Sequence, residues 1–414
     1  MNPLNSVAIL NPLGDFGINA YSFELAEGLC ADGVSADVYT NGASPLSELP
    51  PARRHRCFPV LGSVLLKQDL KTGYQAEADF SLSPPLLTPT SSVKAEPGRR
   101  RTPAFRERAR QKFLEIELAA HLKRKRYDLV WTQWPEIYGH GFWATCRRLG
   151  MKTVHTVHNV LPHEESPEDV RHFRKVYGNC DRLMVHSEQS RQELVRFFPD
   201  VASRASIMRH GLYTIYPPRT GARERVRGEL QIGPAKVACL ICGGIRPYKN
   251  IDSCLGALAE LPQDVLLIVA GKESGFADSS DEDALAHTRR GARACGVEDR
   301  VRLIPHFLGR LEMAGLFEAA DLLLLPYIKG YGSGLLLLGM TFRKYIVTTD
   351  TGGASEYLRN YPHSSLLARG ESAEVAAGIR EGVRALQAGS VIAEATALDE
   401  LRWSTIARNA LQII

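Results

Sequence analysis

A chain of 414 residues, 44% hydrophobic and 23% charged, is too long for one ordinary core and is neither disordered nor fibrous in composition, so two domains are expected. No apolar run approaches the roughly 18 residues that span a bilayer. Eight cysteines are scattered without a framework spacing, which points to a reduced, cytoplasmic setting.

The N-terminus MNPLNSVAILNPLGDFG has no basic segment before its short apolar run and no small-residue cleavage site after it. It reads as a first strand and not as a signal peptide. From there short β-type runs alternate with helical patterns: SVAIL then NAYSFELAEGLCADG, SADVYT, DLVWTQ, KTVHTV, and RLMVHS followed by EQSRQELVRFF. This is the rhythm of βα units around a parallel sheet. An irregular stretch of about 68–103, containing SLSPPLLTPTSSVKAEPGRRR, reads as a surface insertion. It runs into a basic segment: between Arg99 and Arg126 there are eleven Lys and Arg against three Glu. Such a cluster either forms a solvated helix face or attracts phosphate, as in an anionic membrane surface or a pyrophosphate-bearing acceptor. Nucleic acid is disfavoured, because no stacking aromatics or known module pattern accompany it.

The stretch 212–236, LYTIYPPRTGARERVRGELQIGPAK, is rich in Pro, Gly and charge and is expected to link two domains. A second βα series follows: KVACLICGG, IDSCLGALAEL, VLLIVAGK, RVRLIPHF, EMAGLFEAA, DLLLLPY and KYIVTTD. The expected division is 1–212 for an N-terminal domain with an irregular basic insertion at about 68–126, 213–235 for the linker, 236–390 for a C-terminal domain, and 391–414 for a terminal helix that packs back on one of them. Cys239 and Cys242 form a CxxC, but inside an apolar strand with no second pair nearby, which argues against metal or redox use.

Four constellations are placed to carry chemistry. In LNPLGDFGINAYSFELAEGL, Gly14, Asp15 and Gly17 turn a strand into a helix bearing Asn19 in its first turn; strand ends of this kind gather ligands in open α/β sheets. Asp15 is either a general base or a turn stabiliser. In TVHTVHNVLPHEE, His155 and His158 lie three apart on an extended strand, on opposite faces, which disfavours zinc. His158, followed by Asn159 and Glu164, either touches a polar substrate or is a satisfied structural histidine. In CGGIRPYKNI, Gly244, Arg246 and Lys249 leave a strand and open a helix, a suitable place for a diphosphate or else a solvated loop. In PYIKGYGSGLLLLGM (326–340), Tyr331, Gly332, Ser333, Gly334 and Leu335 precede a leucine-rich helical run whose free N–H groups can bind phosphate oxygens. The acidic run DSSDEDALAH reads as a solvated first turn of a helix.

Taken in order, GDFGINAYSFELAEGL, TVHNVLPHE, LMVHSEQS, IMRHGLY, GGIRPYKNI, LLIVAGK, VRLIPHF, LFEAADLLLLPY, the GSG segment and IVTTDTGGASEYL resemble a GT-B glycosyltransferase of the large retaining, family 4-like group. Within it, IRPYKN and GSG resemble the branch of bacterial exopolysaccharide mannosyl- and glucosyltransferases. The resemblance implies an α/β fold of two Rossmann-like domains facing a cleft, with a UDP- or GDP-sugar held by the C-terminal one. Gly244, Arg246, Lys249 and Tyr331 through Leu335 then bind the donor. Gly17, Asn19 and Asn159 bind a glycan, glycolipid or polyprenyl-diphosphate-linked acceptor. No metal and no cofactor besides the nucleotide-sugar is implied. A front-face retaining reaction needs no enzymatic base; an inverting one draws on Asp15, His158 or Glu164.

Two departures from the family pattern stand out. Its arginine normally lies five residues before the lysine, where this chain has Gly244, leaving Arg246 to substitute. Its two glutamates, one for the donor sugar and one for the ribose, fall on Gly330 and Leu338. The alternatives that accommodate their loss are a non-catalytic GT-B partner subunit or a different GT-B enzyme, such as a nucleotide-sugar epimerase or a phosphorylase. The basic segment suggests a protein peripheral at the inner face of the membrane.

Overall fold

The computed structural model describes residues 4–11, 16–40, 57–58, 105–133, 140–161, 167–272, 284–330, 334–389 and 395–414. The first half contains β1 (Ser6–Asn11), α1 (Phe16–Ala31), β2 (Ser35–Thr40), β3 (Cys57–Phe58), α2 (Phe105–Arg124), β4 (Leu129–Thr132), α3 (His140–Arg148), β5 (Lys152–Thr156), α4 (Pro167–Asn179), β6 (Arg182–Val185), α5 (Glu188–Phe197) and β7 (Ala205–Ile207). Its strands form a seven-stranded sheet in the order β3-β2-β1-β4-β5-β6-β7, every pair parallel.

The second half contains α6 (Ala222–Glu229), β8 (Val237–Cys242), α7 (Ile251–Ala259), β9 (Val265–Ala270), α8 (Ala284–Ala294), β10 (Val301–Ile304), α9 (Arg310–Ala319), β11 (Leu322–Leu325), α10 (Gly334–Thr341), β12 (Tyr345–Thr349), α11 (Ala354–Leu358), β13 (Ser364–Leu367), α12 (Ser372–Gln387) and α13 (Trp403–Ile413). Six parallel strands run in the order β10-β9-β8-β11-β12-β13. Helices cover both faces, so the central strands are apolar at every position instead of alternating: VLLIVA of β9 and LLLL of β11 are buried throughout. The chain is thus α/β with two Rossmann-like units, as the βα rhythm predicts.

Two stretches differ from the sequence reading. The linker stretch is not irregular throughout, because α6 forms within it and packs on α9. Arg223 and Arg227, one turn apart on α6, both reach Asp321 at the start of β11, at 2.5 and 3.2 Å. The same carboxylate accepts from the Ala238 N–H, which fixes α6 to the second sheet. Part of the basic insertion is also helical: in α2, Leu118, Ala119 and Leu122 recur at helical spacing and are buried, whereas 68–104 lies outside the described residues. The acidic run lies mostly outside them too, with α8 beginning at Ala284. The CxxC is buried within β8, where burial pushes the Cys242 thiol up to about 12 and Cys239 higher still; neither is poised for thiolate chemistry.

The chain passes between the units twice. Residues after β7 lead into α6, and after α12 the chain returns so that α13 packs on α1. The two crossings touch: the Leu212 N–H donates to Leu401 O at 2.9 Å. Trp403 fits against Gly28 and Gly211 so closely that a Cβ at either glycine would lie within 2.4 to 2.6 Å of it.

Candidate functional site

In an open parallel sheet the ligand crevice opens where the strand order reverses, at the carboxyl ends of the two strands that diverge. In the second sheet this point lies between β8 and β11, neighbours from which the chain winds outward in opposite directions. Two of the predicted stretches leave from there. After β8 the chain turns through Gly243, which has φ of +85°, through half-buried Gly244 and exposed Arg246, into the 3-10 turn Pro247–Lys249. After β11 it runs to α10, which begins at Gly334.

The two turns meet. A Cβ at Gly243 would lie 3.3 Å from Leu335 Cδ1 and 3.4 Å from Lys249 Nζ, so the lysine ammonium and the first turn of α10 border the same glycine. Lys249 is buried and its ammonium donates to Cys242 O at 2.7 Å and to the Tyr327 hydroxyl at 3.0 Å, with the Tyr327 ring face 4.9 Å away. Burial lowers its pKa, since the charged form has lost water.

The first sheet reverses between β1 and β4. Asn11 and Gln133 stand side by side at its carboxyl edge, since the Gln133 N–H donates to Leu10 O. Both are buried. The Asn11 Nδ2 donates to Asn19 Oδ1 at 2.5 Å, drawing Asn19 into the crevice. Gln133 meets His158 Nε2 at 2.9 Å. His158 lies edge-on to Tyr21, with centroids 4.7 Å apart. His186 and His210 also face Tyr21, at 5.3 and 5.0 Å, and Trp403 at 4.9 Å closes the cluster. Burial holds His158 well below its usual pKa and brings His186 down to about 4 and His210 to about 3, so all three are neutral.

The two units meet at α10 and the first crossing. A Cβ at Gly334 would lie 2.6 Å from the Tyr213 hydroxyl, and that hydroxyl is 3.1 Å from His210 Nε2. From the second unit, Tyr357 on α11 donates to His186 O at 2.7 Å and accepts from the His210 N–H at 2.9 Å. The Glu356 carboxylate accepts from the N–H groups of Glu188 and Gln189 at 3.0 and 3.2 Å, sharing the cap of α5 with Ser187.

Residues 17–214 match the family model described as Glycosyltransferase Family 4, and residues 222–384 the model described as Glycosyl transferases group 1. The chain belongs to the family 4-like GT-B glycosyltransferases. A D-inositol 3-phosphate glycosyltransferase of Mycobacterium sp. (strain KMS) is 26% identical over 76% of the chain, which spans 66% of that relative's length. A glycosyltransferase from Rickettsia africae ESF-5 superposes with a TM-score of 0.69 at 13% identity, covering 100% and 98% of the two chains. The Anabaena protein HepE, solved with UDP-glucose, superposes at 0.66 with 16% identity over 99% and 96%.

Against this family frame, Gly244, Arg246, Lys249, Gly334 and Leu335 all belong to the two turns at the second crevice. Asn19 and His158 belong to the first, and exposed Gly17 lies in the first turn of α1. Asn159 follows His158, its carbonyl accepting from the Tyr177 hydroxyl at 3.3 Å. Asp15, Glu164, Tyr331, Gly332 and Ser333 lie outside the described residues. His155 is buried away from the crevice, against Thr132 Oγ1 at 2.8 Å. The sequence reading passed over Asn11, Gln133, His186, His210 and Tyr327. His186 had a visible signal: LMVHS places a histidine just beyond a strand, as TVHNV does.

Gly330 and Leu338, which the resemblance sets against the two family glutamates, are both described. Leu338 is buried on α10 within the core. A Cβ at Gly330 would lie 3.6 Å from Thr351 Oγ1.

Proposed function

We propose that this protein transfers a hexose from a UDP- or GDP-sugar to a glycan, glycolipid or polyprenyl-diphosphate-linked acceptor. The observation that carries this reading is that Lys249 Nζ and the Leu335 side chain, from the first turn of α10, both border Gly243 at the β8/β11 crevice. As the glycosidic bond breaks, negative charge grows on the departing diphosphate. The ammonium, the helix end and Arg246 supply fixed positive charge there in a partly dry site, with no call for a metal or a resident cofactor. The acceptor lies in the β1/β4 crevice, where Asn19 and His158 offer polar contacts. The UDP-glucose bound by HepE supports a nucleotide-sugar donor.

Titration with UDP, GDP and their glucose and mannose conjugates, coupled to a hydrolysis and transfer assay, tests this. One donor should bind and turn over; a chain that neither binds nor cleaves any of them would falsify the reading. Lys249→Ala removes a charge-assisted contact worth about 1.5–3 kcal/mol, so donor affinity should fall roughly ten- to hundredfold. Unchanged affinity would move the diphosphate elsewhere.

A second reading, a non-catalytic partner subunit, is favoured by Leu338 standing buried where the family carries a glutamate. Donor binding without turnover on any acceptor would select it. No helix among the described residues is long and apolar enough to cross a membrane. Lys123, Arg124, Lys125 and Arg126 are exposed at the end of α2, which supports a peripheral contact with anionic lipid. Co-sedimentation with phosphatidylserine vesicles should be lost when these four are replaced by Gln.

A further inference from the structure

The hydrogen-bonding order around His158 follows from one backbone carbonyl. His186 Nδ1 lies 3.0 Å from Met208 O; a carbonyl only accepts, so Nδ1 carries the proton. Burial keeps His186 neutral, and its Nε2 is therefore a bare lone pair. That lone pair lies 3.3 Å from His158 Nδ1, which must then be the donor. Neutral His158 consequently has its own lone pair on Nε2, the nitrogen facing Gln133 at the β1/β4 crevice. The Gln133 amide supports the same order. As placed, its Oε1 faces His158 Nε2, a contact in which neither atom holds a hydrogen, and its buried Nε2 lacks a partner among the described residues. Exchanging the two ends of the amide gives the lone pair a donor and removes the unpaired N–H group, the costlier kind of orphan.

We infer that His186 is a positioning residue that fixes His158 as its Nδ1–H tautomer, so that His158 Nε2 accepts a hydrogen bond from an acceptor hydroxyl which displaces the Gln133 amide. The assignment of that hydroxyl to the acceptor rests on the transferase reading; the tautomer does not. His158 is thereby an acceptor of hydrogen bonds at the crevice, unable as a neutral ring to donate from Nε2 to a departing phosphate. The relay runs outward from Met208, through His186 to His158, and ends at Gln133.

Long-range 1H–15N spectra of the full chain carrying 15N-histidine, at pH 7.5, read the tautomer directly. His158 and His186 should both appear neutral and protonated at Nδ1. His186→Gln, whose carbonyl oxygen can still accept from His158, should retain the His158 tautomer, and His186→Leu should release it. Gln133→Leu should leave it in place, because the order is set from the Met208 side. A His158 ring protonated at Nε2 in the wild-type protein overturns the inference whatever the enzymatic outcome. In transfer assays His186→Leu should raise the KM for acceptor at least tenfold while leaving the KM for donor within twofold, and His186→Gln should recover most of that loss. An equal effect on both substrates would assign His186 a structural role only. Correct tautomers in a protein without transferase activity would sink the functional reading and leave the relay standing.

Discussion

Lys249 and the buried histidines show opposite ways of placing a titratable group inside a protein. The lysine keeps two oxygen partners and so retains a use for its charge. The histidines are packed against aromatic rings and remain neutral. Their effect on stability has a definite sign. His155, His186 and His210 have folded-state pKa values of about 3, 4 and 3, all depressed from 6.5, so their contribution is complete above pH 6.5 and is lost as pH falls toward 4. Across that window the unfolded chain binds protons that the folded chain refuses, and three groups give a slope approaching about 4 kcal/mol per pH unit. Denaturant midpoints measured between pH 7.5 and 5 should fall steeply below 6.5, before most carboxylates titrate. A flat profile over that interval would mean that water reaches the cluster.

At the scale of elements, α1 and α13 approach through a glycine. A Cβ at Gly28 would lie 2.4 Å from the backbone oxygen of Trp403, and a backbone atom cannot swing aside. Gly28→Ala should therefore displace the amino end of α13 and destabilise the fold by about 1–3 kcal/mol, read as a lower melting temperature with donor affinity unchanged. Contacts of this kind explain what was and was not legible in the sequence. Most strands of both sheets could be read because apolar runs bounded by Gly and Pro fix them locally, whereas short β3, β7 and β13 were missed; the turns around Lys249 and Gly334 could be read because they follow such strands. The helix α6 was hidden, since its hold on the second sheet is the Arg223 and Arg227 pair on Asp321, almost a hundred positions away. Likewise His186 and Tyr357 gain their roles from each other across 171 positions, a distance that no local pattern encodes. Gln133 carries no motif at all; only the strand order places it at the crevice.

At the scale of the molecule, the units are pinned on the cleft side by Tyr357, which joins His186 O to the His210 N–H, and by Glu356 on the amino end of α5. Tyr357→Phe leaves a buried N–H and a buried carbonyl without their partner, a loss of about 1–3 kcal/mol for each unsatisfied group, and that loss falls only on the state in which the units touch here. The double variant Tyr357→Phe, Glu356→Gln should therefore show a larger radius of gyration by small-angle scattering without donor. A profile identical to wild type would show that other contacts hold the cleft shut.

The paired crossings set the mechanics of that opening. Two rigid bodies joined by a single flexible strand can swivel in any direction, but here the second passage of the chain lies against the first, tied by the Leu212 to Leu401 hydrogen bond and wedged by Trp403. A doubled tether resists twisting and sliding and leaves bending as the easy motion. Opening of the cleft should therefore follow one main coordinate, in which the second unit carries the Lys249 turn as it bends.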